Sequence, residues 1–303
     1  MKLLLALLII SIGSHAMAEP TRHWVSDGFN NRDLTIHPAG HVLLTTVMAP
    51  KSQFAAIAWS FRQGDTWSPL TIAPFSGEHM DIEAMFSPDG KWVYFASKRP
   101  RPEREGDDWD LWRVSYSGGQ WGEPENLGEP VNTTGNEYYP SLTHDGELFF
   151  TATRDEDMRE DIFVASPHEG RFAMVKPVTG VNSPTWEFNA FVDPDKEYLL
   201  FGSQRRDGEI GGGDIYIAYR DGDGWATPEL LGTRVNSTQL DYCPFVFDGR
   251  LYYTSEKRDQ PDGVFTIESL REAFHSPGNG LGDIYSIPMS EILLGTNPDH
   301  PNN

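Results

Sequence analysis

The chain has 303 residues, and 45 Asp and Glu outweigh 24 Lys and Arg, for a formal net charge of −21. That balance argues against a nucleic-acid partner, because binding a polyphosphate takes a basic face, and it disfavours a polybasic approach to an anionic membrane. Aromatic content of 12% with 22 Pro and 29 Gly suits a turn-rich folded chain and not a disordered one.

Met1-Lys2 opens a short positive region, Leu3 to Gly13 is apolar, and Ala16-Met17-Ala18 offers the small-x-small pattern that signal peptidase reads. The run is too short for a bilayer, which takes about 20 residues. Residues 1–18 are therefore expected to be a cleaved secretory signal, and residues 19–303 a periplasmic or secreted protein with no membrane span. Cys243 is the only cysteine, so no internal disulfide is expected. In the apolar run Tyr242-Cys243-Pro244-Phe245-Val246-Phe247 it reads as a buried, inert thiol.

Beyond the leader the sequence repeats itself. An acidic residue, a short apolar strand and a turn around Asp recur as Asp81-Ile-Glu-Ala-Met-Phe-Ser-Pro-Asp89, Glu137-Tyr-Tyr-Pro-Ser-Leu-Thr-His-Asp145 and Glu187-Phe-Asn-Ala-Phe-Val-Asp-Pro-Asp195, with a copy one residue shorter from Asp241 to Asp248. The turn aspartates lie 56, 50 and 53 residues apart. A second strand follows each turn, as in Trp92-Val-Tyr-Phe-Ala-Ser97, and Asp-Gly between two such runs is a strong hairpin signal. Each second strand ends at a cation: Arg99, Arg154, Arg205 or Lys257. A third strand opens with Asp110-Leu-Trp, Asp161-Ile-Phe, Asp214-Ile-Tyr or Asp283-Ile-Tyr, and a fourth centres on Trp121, Phe172 or Trp225, followed by Val131-Asn132, Val181-Asn182 or Val235-Asn236. A degraded first copy keeps Ala39-Gly40 as its turn and Trp67 as its fourth-strand marker.

Five units of about 53 residues fill the mature chain, which predicts an all-β fold: a five-bladed β-propeller of four-stranded antiparallel blades. The blades fall at 27–76, 81–132, 137–182, 187–236 and 241–290 of a single domain. The last lacks a fourth strand, which the segment around His23-Trp24-Val25 is expected to supply, closing the ring and hiding both sheet edges. The last blade also carries an insertion of about 16 residues containing Ser269-Leu-Arg-Glu272, a capping-box pattern that predicts a short helix.

Ser87-Pro-Asp-Gly90 before an aromatic strand, Ser97-Lys-Arg99, Asp110-Leu-Trp112 and Trp121-Gly-Glu-Pro124 resemble the WD-like propeller repeat of the periplasmic TolB family over roughly residues 27–290. The resemblance implies a module that binds a protein or cell-envelope component. Some propellers of this type accompany hydrolases, and a related group are oligosaccharide lyases, so an oligosaccharide ligand also stays open.

Two residue sets are candidates for function. The repeated pairs Arg99 with Asp110, Arg154 with Asp161, Arg205 with Asp214 and Lys257 with Asp283 read as structural clips of the hairpin between second and third strands. The acids Asp81, Glu137, Glu187 and Asp241 begin the first strands, which line a propeller's channel, so they are expected near one channel mouth. There they either cap their own strands or contact the neighbouring blade, or they bind a ligand or a hard cation such as calcium. Two such acids flanking a sugar could also hydrolyse a glycosidic bond, an alternative resting on fold alone. No Gly-x-Ser-x-Gly elbow, phosphate loop or His-Glu-x-x-His motif is present. Asp155-Glu-Asp157 and Asp221-Gly-Asp223 read as solvated connections, and Trp109 and Trp186 as loop aromatics that could stack on a sugar.

Overall fold

The Asp-Gly turns set each hairpin. Gly90, Gly146 and Gly249 have φ of 70°, 86° and 67°, a left-handed conformation that a residue without Cβ adopts without strain. At Gly90 and Gly146 the side chain two residues before the paired aspartate locks the turn. Ser87 Oγ donates to Asp89 at 2.7 Å and Thr143 Oγ1 to Asp145 at 2.5 Å.

A computed structural model describes residues 18–101, 106–154, 159–259 and 263–296. The expected signal, apart from Ala18, and the acidic segment at 155–157 lie outside the described residues. Five antiparallel sheets form the blades of a propeller ring. Blade 1 comprises Asn30–Ile36, Val42–Met48, Ala55–Gln63 and Thr66–Trp67. Blade 2 comprises Asp81–Phe86, Trp92–Ser97, Asp110–Ser117 and Gln120–Trp121. Blade 3 comprises Glu137–Leu142, Leu148–Thr153, Glu160–His168 and Arg171–Pro177. Blade 4 comprises Trp186–Val192, Tyr198–Gln204, Asp214–Asp221 and Gly224–Trp225. Blade 5 takes Asp241–Phe247, Arg250–Ser255 and Asp283–Pro288, and its outer strand is the N-terminal Thr21–Arg22.

The ring therefore closes as expected, though two residues earlier in the chain than His23-Trp24-Val25. Thr21 pairs with Ser286 and Arg22 with Tyr285. Arg22 holds the junction by donating to the Tyr285 hydroxyl at 2.8 Å and bridging to Asp283 at 3.2 Å. His23 N–H still reaches the Ile284 carbonyl at 2.7 Å, after which Val25 turns into the core.

The Val-Asn pairs are the outer clamps of blades 2, 3 and 4. Asn132 accepts from the Leu111 N–H at 2.8 Å and donates to the Leu111 carbonyl at 2.9 Å, imitating a strand partner. Asn182 does the same to Ile162 and Asn236 to Ile215. The valines before them are fully buried. The aromatics Phe95, Phe150 and Phe201 stand at one repeat position of the second strands with no exposure, filling the space between blades.

The insertion in blade 5 does form a helix, α1 (Ile267–Phe274). Its cap is Thr266, with Ser269 as the reciprocal partner, so Ser269 closes the box instead of opening it. A second helix, α2 (Met289–Thr296), follows the last strand. Among the described residues no helix is long and apolar enough to cross a membrane.

Candidate functional site

The four repeat acids begin the inner strands as the sequence indicates, but each is bound by the segment that leads in from the preceding blade and, in blades 2 to 4, by an arginine that follows the second strand of its own blade. Asp81 accepts from Ser97 Oγ at 2.6 Å, Ser76 Oγ at 2.7 Å and Arg99 at 3.0 Å, and Arg99 also reaches back to the Phe75 carbonyl. Glu137 accepts from Thr133 Oγ1 at 2.7 Å, with Arg154 at 3.7 Å. Glu187 accepts from Ser183 Oγ at 2.6 Å and Arg206 at 2.8 Å. Asp241 accepts from Ser237 Oγ at 2.7 Å. All four are fully buried.

The cation at the end of the second strand therefore serves the first strand, not the third. In the ladder Ser97 lies between Asp81 and Asp110, so an arginine leaving that strand can turn either way. It turns toward the inner acid because the carbonyl of the incoming linker lies there as a second acceptor: Phe75 for Arg99, Val131 for Arg154 and Val181 for Arg206. Asp110 is held instead by Arg101 at 2.8 Å, Asp161 by Arg159 at 3.2 Å and Asp283 by Arg22. Asp214 accepts the Ile210 N–H at 2.5 Å. In blade 4 the acid takes Arg206, while Arg205 lies over the Trp186 ring at 4.2 Å. Lys257 lies over the Tyr285 ring at 5.1 Å, with its amine 3.5 Å from the Tyr253 hydroxyl.

Environment divides the acids that the sequence shows as uniform. Burial pushes Glu137 up to about 7, with the Thr133 bonds and distant Arg154 opposing it only in part. Burial also raises Asp241. Glu187 feels the same burial, but the Ser183 and Arg206 bonds outweigh it and lower its pKa.

Two residues further along, a different ring converges on the axis. Every inner strand has a bulge there: the register shifts between Arg32 and Thr35, Ile82 and Met85, Tyr138 and Ser141, Phe188 and Phe191, and Tyr242 and Phe245. The bulged residues Asp33, Glu83, Tyr139, Asn189 and Cys243 all have left-handed φ, between 46° and 60°. That conformation is costly for residues other than Gly, Asn or Asp, and its repetition in five blades aims five unlike side chains at one another.

These side chains make one network. Cys243 Sγ lies 2.7 Å from Asp33 Oδ1 and 3.4 Å from Asn189 Oδ1, and Asn189 Nδ2 donates to Glu83 at 3.2 Å. Tyr139 crosses the axis and donates its hydroxyl to the Pro244 carbonyl at 2.9 Å. Arg32 supplies the positive charge, donating to Asp33 at 2.8 Å and Glu83 at 2.5 Å while its guanidinium stacks 4.9 Å from the Tyr242 ring centroid. Asp33 is 2% exposed and Glu83 4%. Burial pushes the Glu83 carboxyl up to about 8, with Arg32 opposing it only in part; the Cys243 thiol is raised by burial and by Asp33. Cys243 is thus buried as expected, but in a polar setting.

Asp33, Glu83 and Cys243 are the one group of three metal-ligating residues among the described residues whose donor atoms lie within 4.8 Å of one another. Arg32 already stands among them as the counter-charge, so the set reads as a closed ion-pair network. Around Arg32, toward the start of the inner strands, Tyr138, Glu160 and Glu256 are half-buried. Burial raises both carboxyls while Arg32 lowers them. At the other end of the strands an apolar funnel of about 260 Å³ is lined by Ile36, Met85, Leu142, Phe191 and Phe245. A wider groove of about 930 Å³, lined by Arg101, Arg113 and Arg171, lies between blades 2 and 3. Trp109 and Trp186 are half-buried, with Lys98 5.5 Å from the centroid of the first ring and Arg205 over the second.

Sequence reasoning missed the axial set. Its signal was present at the third position of each repeat, where Glu83, Tyr139, Asn189 and Cys243 differ while their neighbours recur.

No protein-family model matches the chain, and no curated protein sequence matches it. Solved structures match the fold. A TolB-like protein from Agrobacterium tumefaciens is 15% identical, with a TM-score of 0.52 over 86% of this chain and 90% of that one. The Arb43A arabinanase of Bacillus subtilis is 11% identical, with a TM-score of 0.51 over 85% of this chain and 93% of that one. The protein BT0996, solved as a complex with RGII, is 10% identical, with a TM-score of 0.52 over 95% of this chain and 93% of that one. At these identities the likeness is one of fold, and it defines the class: a five-bladed β-propeller with TolB-like and glycan-active neighbours.

Proposed function

We propose that this chain is an exported β-propeller that binds a protein or cell-envelope component at the face of its channel. The observation that carries this reading is the state of the two axial carboxylates. Asp33 and Glu83 are both buried and both bonded to Arg32. A glycosidase needs two carboxyl groups open to the sugar on either side of the scissile bond, whereas these two are turned onto a guanidinium. Arg32, Tyr138, Glu160 and Glu256 instead present a mixed polar and aromatic mouth, a composition suited to recognition. The glycan-active alternative draws on the fold shared with the arabinanase.

The test compares wild type with Y138A/E160Q in affinity purification from envelope extract. A partner recovered by wild type and depleted at least tenfold by the variant, at unchanged thermal midpoint, is the expected result. An undiminished set of partners in the variant, or new sugar ends released from a polysaccharide by wild type, would overturn the reading.

A further inference from the structure

The end of the channel away from the mouth holds a cavity that the proposed envelope partner does not use, the apolar funnel of about 260 Å³. Two residues past the bulged positions the inner strands bring Met85, Ser141, Phe191 and Phe245 to it, and all five blades contribute to its wall. Ile36, Met85, Leu142, Phe191 and Phe245 keep 4–7% of their surface, whereas Leu43, Leu148 and Leu199 of the second strands keep none. That residual surface is what faces the funnel. Ser141 is the small member of the set. Its oxygen accepts the Val192 N–H at 3.0 Å, so it holds the wall in place and leaves the space beside it open. Toward the centre the axis is filled by Tyr139, bonded across to the Pro244 carbonyl, and by the network around Arg32, so the funnel has a closed end.

Size and charge define the guest. An apolar cavity of about 150 Å³ takes a benzene ring, so this one has room for a ring with a short chain. The rim is built from the turns between first and second strands. Among the described residues that line the funnel, Asp248 is the one that carries a charge, His144 is the other titratable one, and both are exposed. Asp248 has no ion-pair partner among the described residues. The cations of the same turns are engaged away from it: Lys91 lies 3.3 Å from Asp89, Lys196 bridges Asp145 and Glu147, and Arg250 donates to Ser286 Oγ at 3.1 Å. None of the three lines the funnel. Phe247, half-buried beside Asp248, adds an aromatic ring to the rim, a second group that attracts a cation.

We infer that the funnel binds a small amphipathic amine, with its aromatic or short alkyl body among Met85, Leu142, Phe191 and Phe245 and its ammonium beside Asp248. A neutral guest of the same shape gains only the burial of its apolar body. A carboxylate guest meets Asp248 as a like charge, and a second copy of the chain brings its own Asp248 and acidic turns to the same place. The site lies at the opposite end of the strands from Arg32, Tyr138, Glu160 and Glu256, so it stands or falls independently of the proposed envelope partner.

The probe is phenethylamine, set against phenethyl alcohol and hydrocinnamate, each titrated into the full chain by calorimetry at about 0.15 M salt and at a pH above the ordinary histidine range. The amine should bind at least about fivefold more tightly than the alcohol and at least about tenfold more tightly than the acid. In protein labelled at the methionine methyls it should move the Met85 resonance and leave that of Met174, an exposed residue of blade 3's outer strand, in place. Asp248→Asn keeps a residue that accepts the left-handed φ of 49° found there. It should reduce the amine to the affinity of the alcohol without moving the thermal midpoint. Equal affinity for the three probes, a Met85 resonance that the amine does not move, or D248N binding as wild type does would overturn the inference. So would a dimer in sedimentation, or a protein captured from envelope extract, that the amine displaces, since either gives the funnel a different occupant.

Discussion

The Glu83 carboxylate accepts the backbone N–H of Tyr139 at 2.8 Å, where in neighbouring positions of the ring a threonine hydroxyl does that work. Thr46 accepts from Glu83, Thr151 from Asn189 and Thr254 from Asp33, each from a second strand to the bulged residue of the following blade. Blade 2 has Ala96 at that place, so no hydroxyl is available and an axial carboxylate substitutes. The substitution ties Arg32, Glu83 and Tyr139 into one unit spanning blades 1, 2 and 3. A double-mutant cycle reads it. Glu83→Ala should be less costly by about 1 kcal/mol when Ala96→Thr is present, since the new hydroxyl restores the acceptor. Strict additivity in urea unfolding would contradict the relationship.

Arg32 should matter more for stability than any surface ion pair. Arg32→Met leaves Asp33 and Glu83 buried without counter-charge, a loss of about 3–5 kcal/mol for a broken buried pair. Adding Asp33→Asn and Glu83→Gln should recover part of that loss, because neutral amides need no cation. A change below about 1 kcal/mol in the single variant would mean the network is open to water.

Glu137 and Glu187 should give opposite pH dependences from equivalent positions. Glu137 keeps its proton in the folded state up to about 7, above the ordinary carboxyl value of 4.5. Folding therefore binds a proton between those values. Stability should fall as pH rises through that window, by on the order of 3 kcal/mol, and level off above it. Glu187 is lowered, so its contribution is present above the ordinary carboxylate range and lost as pH falls below it. Glu137→Gln should remove the first slope and Glu187→Gln the second, checked by denaturant midpoints from pH 3.5 to 8.

Blade 5 lacks the arginine that serves the inner acid elsewhere. Lys257 has its amine at Tyr253, and burial lowers its pKa despite Asp241. Lys257→Arg should extend the fork to Asp241 and to the incoming linker, raising stability by about 0.5–1.5 kcal/mol. A lower thermal midpoint would show that the site has no room for the fork.

Most of the architecture was legible because the repeat states it. Asp-Gly turns, the second-strand aromatics and the Val-Asn pairs each answer to a local rule, and the structure uses them accordingly. The clip between Arg99 and Asp110 was misassigned because strand order alone leaves the arginine two neighbours, and only the linker carbonyl at Phe75 decides between them. The axial set escaped notice for a different reason. Alternation along a strand gives no warning of a bulge that turns Glu83, Tyr139 and Cys243 toward the axis with φ of 59°, 46° and 51°. Nor does it reveal that Arg32, on a degraded repeat, would hold the carboxylates.

The most direct measurement is of sugar-end release from linear arabinan and RGII by wild type beside D33N/E83Q. The account predicts no release above the enzyme-free blank from either protein, since both axial carboxylates are bonded to Arg32. Release by wild type that D33N/E83Q abolishes would contradict it and make those carboxylates catalytic.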